Sequence, residues 1–109
     1  MSQISQWNTV ALNATNCSAS GNNTIIAAPS AGPIKVWKIW FTAGGAVNVT
    51  FQSGSTALSG GAVLTASGSS FTLYYDGSPH FVALPGSAFV INLSGAVALT
   101  GQVYYTIGG

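Results

Sequence analysis

Apolar and polar residues alternate along most of this chain with a period of two. Residues 46–52 show it cleanly, with Val47, Val49 and Phe51 on one side and Asn48, Thr50 and Gln52 on the other. Phe71, Leu73 and Tyr75 alternate with Thr72 and Tyr74, and Phe89, Ile91 and Leu93 share one face of 88–93. Val97, Leu99, Val103, Tyr105 and Ile107 share one side of 96–107, with Gly101 in line as an expected bulge or bend. Side chains on a strand point to opposite faces in turn, so this rhythm predicts half-buried β-strands. Shorter strands are expected at 24–28, 56–66 (interrupted by Gly60-Gly61) and 80–84. Turn residues separate them: Ala43-Gly44-Gly45, Ser53-Gly54-Ser55, Asp76-Gly77, Pro85-Gly86 and Ser94-Gly95. No segment has the i, i+3, i+4 spacing of an amphipathic helix. Seven or eight short strands, with turns at intervals of about 8–12 residues, predict an all-β fold, an antiparallel β-sandwich of jelly-roll-like form.

The stretch from Ile34 to Thr42 is the expected centre. It contains no Gly or Pro, holds both lysines and two of the three tryptophans, and is dense in β-branched and aromatic side chains. Strict alternation sets Ile34, Val36, Lys38 and Trp40 on one face and Lys35, Trp37, Ile39 and Phe41 on the other. The expected core is Trp37, Ile39, Phe41, Val47, Val49, Phe51, Phe71, Leu73, Phe89, Ile91, Leu93, Leu99 and Val103. The second face of 34–42, also largely apolar, is expected to meet the sandwich interior or a neighbouring subunit.

Residues 1–23 break the rhythm. They are rich in Ser, Asn, Thr and Ala, and they predict an extended N-terminal arm ahead of a sandwich domain at 24–109. Ile4 and Trp7 are the arm's isolated apolar groups. They either fold back on their own domain or anchor the arm in a neighbour.

Charge changes the picture most. Lys35, Lys38 and Asp76 make up 3% of the chain, against about 25% charged residues in an average protein. Hydrophobic residues are 48%, so a packed core is expected. With so little charge to keep copies apart, the chain is expected to live packed in a multi-copy assembly. There is no basic patch for phosphates, so no nucleic-acid partner is expected. No polybasic segment or long apolar run points to a membrane. The start lacks the basic and apolar regions of a signal peptide, so the expectation is either synthesis and use in the cytoplasm, which Met1 favours, or a signal already removed. Cys17, the single cysteine, reads as a small neutral filler, with a bridge between subunits as the alternative.

Catalytic chemistry is not expected. One Asp, one His, one Cys and no Arg give too few groups to move protons, attack a substrate or hold a metal. Asp76 starts a turn, His80 reads as a loop or edge residue, and no Gly-x-Ser-x-Gly elbow occurs. No cofactor is expected. The Asn-x-Ser/Thr triplets at Asn13, Asn16, Asn22, Asn48 and Asn92 are unsurprising in a chain this rich in Asn, Ser and Thr. Trp40, Tyr74 and Tyr104 fall on the less apolar faces of their strands. They are candidates for packing between subunits, the reading preferred here, or for stacking on sugar rings.

The order of the strand at 34–41, then Val47-Asn48-Val49-Thr50-Phe51-Gln52-Ser53-Gly54-Ser55-Thr56-Ala57-Leu58-Ser59-Gly60, then Gly86-Ser87-Ala88-Phe89-Val90-Ile91-Asn92-Leu93-Ser94, then Val97 to Gly101 and Gln102-Val103-Tyr104-Tyr105, is a familiar one. It resembles the small β-sandwich virion proteins of tailed bacteriophages, which serve as capsid decoration (cement) proteins and as modules of head or tail fibres. The resemblance covers about residues 24–107 and implies a structural protein of the virion surface. A polar arm without a coiled-coil or collagen-like stalk favours decoration, so the expectation is a cement protein stabilising seams between subunits of the major capsid protein. A homotrimer follows from the resemblance, and Ile4, Trp7, Trp40, Tyr74 and Tyr104 are the expected assembly residues. The alternative is a receptor- or carbohydrate-binding module of a fibre.

Overall fold

The computed structural model describes residues 7–30 and 32–108. Ten strands form in chain order: β1 Asn8–Leu12, β2 Gly21–Ile26, β3 Ile34–Ala43, β4 Val47–Ser53, β5 Thr56–Ala57, β6 Ala62–Leu64, β7 Ser70–Leu73, β8 Phe81–Val82, β9 Phe89–Leu93 and β10 Leu99–Ile107. They build two antiparallel five-stranded sheets. Sheet A runs β1-β10-β3-β7 with β8 also on β3; sheet B runs β2-β9-β4-β5 with β6 also on β4. The pairings are nested: first strand with last, second with ninth, third with seventh and eighth, fourth with fifth and sixth. That is a long hairpin wound across two sheets, the jelly-roll arrangement. The expected strand at 56–66 is split into β5 and β6 around Gly60-Gly61.

Two expectations are corrected. The first concerns the arm. Residues 8–12 and 21–26 are strands of the sandwich, β1 edging sheet A and β2 edging sheet B, so the division at residue 23 falls inside a strand. Leu12 and Cys17 are fully buried. Their polar neighbours serve the connection between the two strands. Asn13 Oδ1 accepts from Thr15 N at 2.8 Å, and Asn16 Nδ2 donates to Ala11 O. The buried Asn23 side chain accepts from Ala19 N and donates to Ala19 O and Ile91 O, fastening the loop to β9. Asn and Ser here replace the backbone partners that a chain reversal loses, which is why the segment reads as polar.

The second correction concerns β3. Its pairing with β10 slips by one residue: Lys38 faces Tyr104, but Val36 faces Tyr105. The extra residue puts both Trp37 and Lys38 on the outer face. Ile34, Val36, Ile39, Phe41 and Ala43 therefore all point inward and are buried, while Lys35, Trp37, Lys38, Trp40 and Thr42 lie outside. Trp37 is thus not a core residue.

The remaining expected core residues are buried, with Phe71 and Leu73 partly so. Ile25, Ile26, Ile34, Val36 and Leu64 join them. All five phenylalanines meet between the sheets, with Phe51 of sheet B touching Phe71 (5.6 Å between ring centroids), Phe81 (4.6 Å), Phe89 (6.2 Å) and Phe41 (6.3 Å). Tryptophan and most tyrosine rings stay outside the space between the sheets; Trp37 Nε1 finds a partner there in Thr106 Oγ1, whereas Trp7 Nε1 is covered without one.

Candidate binding faces

The bulge in β3 creates the outer face of sheet A. Trp37, turned out by the extra residue, donates from Nε1 to Thr106 Oγ1 of β10 at 2.8 Å. Lys38 Nζ sits 5.1 Å from the centre of the Tyr104 ring, a cation–π contact. Trp7, immediately before β1, packs against Tyr75 (5.1 Å) and edge-on against Tyr104 (5.7 Å), and Tyr75 reaches Trp37 at 6.0 Å. Trp7, Tyr75, Trp37, Tyr104 and Lys38 thus form one packed cluster. Above it, Trp40 is paired across the sheet with Gln102 of β10 and Thr72 of β7, and the next row holds Thr42, Thr100 and Ser70.

The expected assembly residues separate into three groups. Trp7 is not a free plug; it folds back on its own sandwich, and Tyr104 is half-covered beneath it. Trp40 at 39% and Tyr74 at 72% are exposed. Ile4 lies outside the described residues. Tyr74 sits in the loop joining β7 to β8, because the strand ends at Leu73. That loop is held by His80 Nε2 against Tyr74 O at 2.6 Å, and by Asp76 Oδ1, which accepts from Ser78 N. Tyr75, Trp37 and Lys38 were not anticipated as a cluster. The signal was present: Lys35 and Lys38 have opposite parity in a strand with a buried face, and only a bulge lets both reach water.

The outer face of sheet B is chemically different. Asn22, Asn92 and Thr50 form one row across β2, β9 and β4, with Asn92 Nδ2 donating to Asn22 Oδ1 at 2.7 Å. Asn48 lies beside Val63 of β6, which is 66% exposed. No charged side chain stands on this sheet. Lys35 and Lys38 are on sheet A, and Asp76 is in a loop between two sheet A strands.

Cys17 is fully buried, so its thiol does not reach a second chain. Burial pushes its pKa from 9.0 up to about 12. Between those values the unfolded thiol has lost its proton and the folded one keeps it. Stability is therefore expected to fall as pH rises from 9 towards 12, by at most about 1.4 kcal/mol per pH unit. Urea titrations of the protein and of Cys17→Ala across this range check it: the difference between them should shrink as pH rises, and a constant difference would refute it.

Among the described residues, no group of three or more His, Cys, Asp or Glu is placed to hold a metal ion, and no helix is long and apolar enough to cross a membrane. No protein-family model matches the chain, and neither a curated protein nor a solved structure matches it.

Proposed function

We propose that this chain is a structural virion protein of a tailed phage, a decoration protein that docks on the head through the charge-free side of its sandwich. The observation that carries the reading is the division of charge: three charged side chains in the chain, none of them on sheet B. Stripping water from a charge is costly unless it is paired, and the cores of protein interfaces are accordingly depleted in charge. The Asn and Thr rows of sheet B exchange hydrogen bonds with a neighbour at low cost. Val63, beside Asn48, adds exposed apolar area there. The partner is the major capsid protein, and the work is added buried surface at seams between its subunits. A protein that binds only the assembled head stabilises it by mass action. The low charge of the chain supports self-association, and the phage resemblance alone supplies the number three, a homotrimer as the docking unit.

Cosedimentation with bare heads of the phage that carries the protein tests the reading. Val63→Asp, a change at an exposed position, is expected to leave folding intact and to weaken head binding by roughly tenfold or more, the loss expected from burying one unpaired carboxylate. Equal binding by both proteins would remove sheet B as the docking face, and a stable monomer at micromolar concentration would count against the trimer. The competing reading, a receptor- or carbohydrate-binding fibre module, draws its support from the other face.

A further inference from the structure

We infer that the outer face of sheet A binds an acidic oligosaccharide, with a uronic acid ring stacked on Trp40 and its carboxylate held by Lys38. This goes beyond the docking role and does not rest on it, since the two faces lie on opposite sides of the sandwich.

Trp40 lies near the middle of β3, the strand flanked by β10 on one side and by β7 and β8 on the other. Its cross-strand neighbours are Thr72 and Gln102, and Thr42, Thr100 and Ser70 follow in the next row. The large ring stands among short hydroxyl side chains and remains 39% exposed. A sugar ring offers an apolar C–H face and a rim of hydroxyls. An exposed indole bordered by hydroxyl and amide groups complements both. Gln102 accepts from Tyr104 OH through Oε1 at 3.3 Å, which leaves its amide nitrogen to donate.

Charge selects the kind of sugar. Both lysines of the chain are on this face, and the single side-chain carboxylate, Asp76, is engaged with Ser78 N in its own turn. Lys38 and Trp40 are two residues apart on the same face, about 7 Å along the strand. That separation suits a carboxylate carried on a pyranose stacked over the indole. Lys38 is anchored over Tyr104, and Tyr104 is braced by Trp7, so the cation is positioned before any ligand arrives.

The face is less suited to a protein partner. Its outward residues are mainly rings, hydroxyls, an amide and ammonium groups, with Ala11 beside Gln102 as a small aliphatic one and no Leu, Ile or Met. The exposed Val63, Leu84 and Ile107 lie off it, and Val82 is only at its rim beside Lys35.

Isothermal titration with hexamers of galacturonate, mannuronate and hyaluronan, against neutral maltohexaose and cellohexaose, tests the inference. At least one acidic hexamer should bind, and binding should weaken as salt is raised. Trp40→Ala should weaken it roughly tenfold or more, while Trp40→Phe, which keeps a ring, stays within roughly threefold of the parent. Lys38→Gln should remove most of the preference for acidic over neutral sugars. Circular dichroism of each variant confirms the fold. No binding to any acidic hexamer, binding indifferent to Trp40→Ala, or equal binding of neutral sugars would overturn the inference. So would a concentration-dependent self-association, in the absence of sugar, that Trp40→Ala abolishes, because the face would then be a protein contact.

Discussion

A chain lacking residues 1–20 is expected not to fold. The deletion removes β1, and with it the strand that pairs residue by residue with β10 from Leu12 opposite Gly101 to Asn8 opposite Tyr105. The side chains of Leu12 and Cys17 leave the core, and Leu99 N loses its acceptor, Cys17 O at 3.0 Å. Loss of one buried leucine side chain alone costs about 2–5 kcal/mol. The exposed flank of β10 and the lost ladder add to that. A domain of this size is held by about 5–15 kcal/mol in all, so the sum reaches the whole stability. The remaining β10 edge, alternating and apolar on its inner side, would also be open to pairing with other chains. Far-UV circular dichroism and thermal melting of the truncated chain decide the matter. A truncated protein melting within a few degrees of the parent would restore the detachable arm that the composition of residues 1–23 suggested.

Replacing Gly101 with alanine is expected to be the most damaging single-methyl change in the protein. Gly101 faces Phe41 where β10 and β3 pair. A Cβ built there would overlap the Trp40 carbonyl oxygen and lie 2.6 Å from Phe41 Cα and 2.8 Å from Phe41 Cβ. Two of these atoms are backbone, and the third is fixed to it, so no side-chain rotation relieves the overlap. The strands themselves must separate, along the pair that carries the Phe41 core contacts inside and Trp40 outside. Overpacking of a tight core costs about 1–3 kcal/mol and occasionally more, and a collision with backbone belongs at or above the top of that range. Each kcal/mol lowers the melting temperature of a small domain by about 4–8 °C, so a fall of roughly 12 °C or more is expected. Gly95→Ala is the control, since a Cβ at that position meets nothing within 4 Å. Equal melting of the two variants would show that the strand pair gives way easily.

Gly101 shows how far the sequence could be read. A glycine in an alternating strand announces something unusual, and a bulge was a reasonable expectation. Yet Gly101 keeps regular register, and the slip lies between Tyr104 and Tyr105. The glycine serves close approach of a neighbouring backbone instead, and closeness between residues 41 and 101 has no local signature. The aromatic face has a mixed history. Parity places Trp40 outward on its strand, but Tyr74 is exposed because it lies in the loop after β7, and Tyr104, outward by the same parity, is half-covered. The packing of Trp7 onto Tyr75 and Tyr104 joins three parts of the chain far apart in sequence, so no local pattern revealed it.

The sequence by itself determined the class of the fold and most of the core. Period-two alternation and turn residues are local consequences of backbone geometry, so Val47, Val49, Phe51, Phe89, Ile91 and Leu93 declare their burial within a few residues of chain. The scarcity of charge is equally plain. Tertiary structure alone decided which strands pair. The nested order brings residue 8 to residue 105 and residue 21 to residue 93, and hydrogen bonds between backbones carry no residue code for such partners. It also decided the fate of the polar segment at 8–23. Asn and Ser side chains satisfy the chain reversal between β1 and β2, and only the docked strands reveal that this polarity belongs to a connection rather than to solvent. Last, one extra residue in β3 turned Trp37 from the interior to the surface: register is a property of two strands together, and a single strand read alone cannot show where its partner slips.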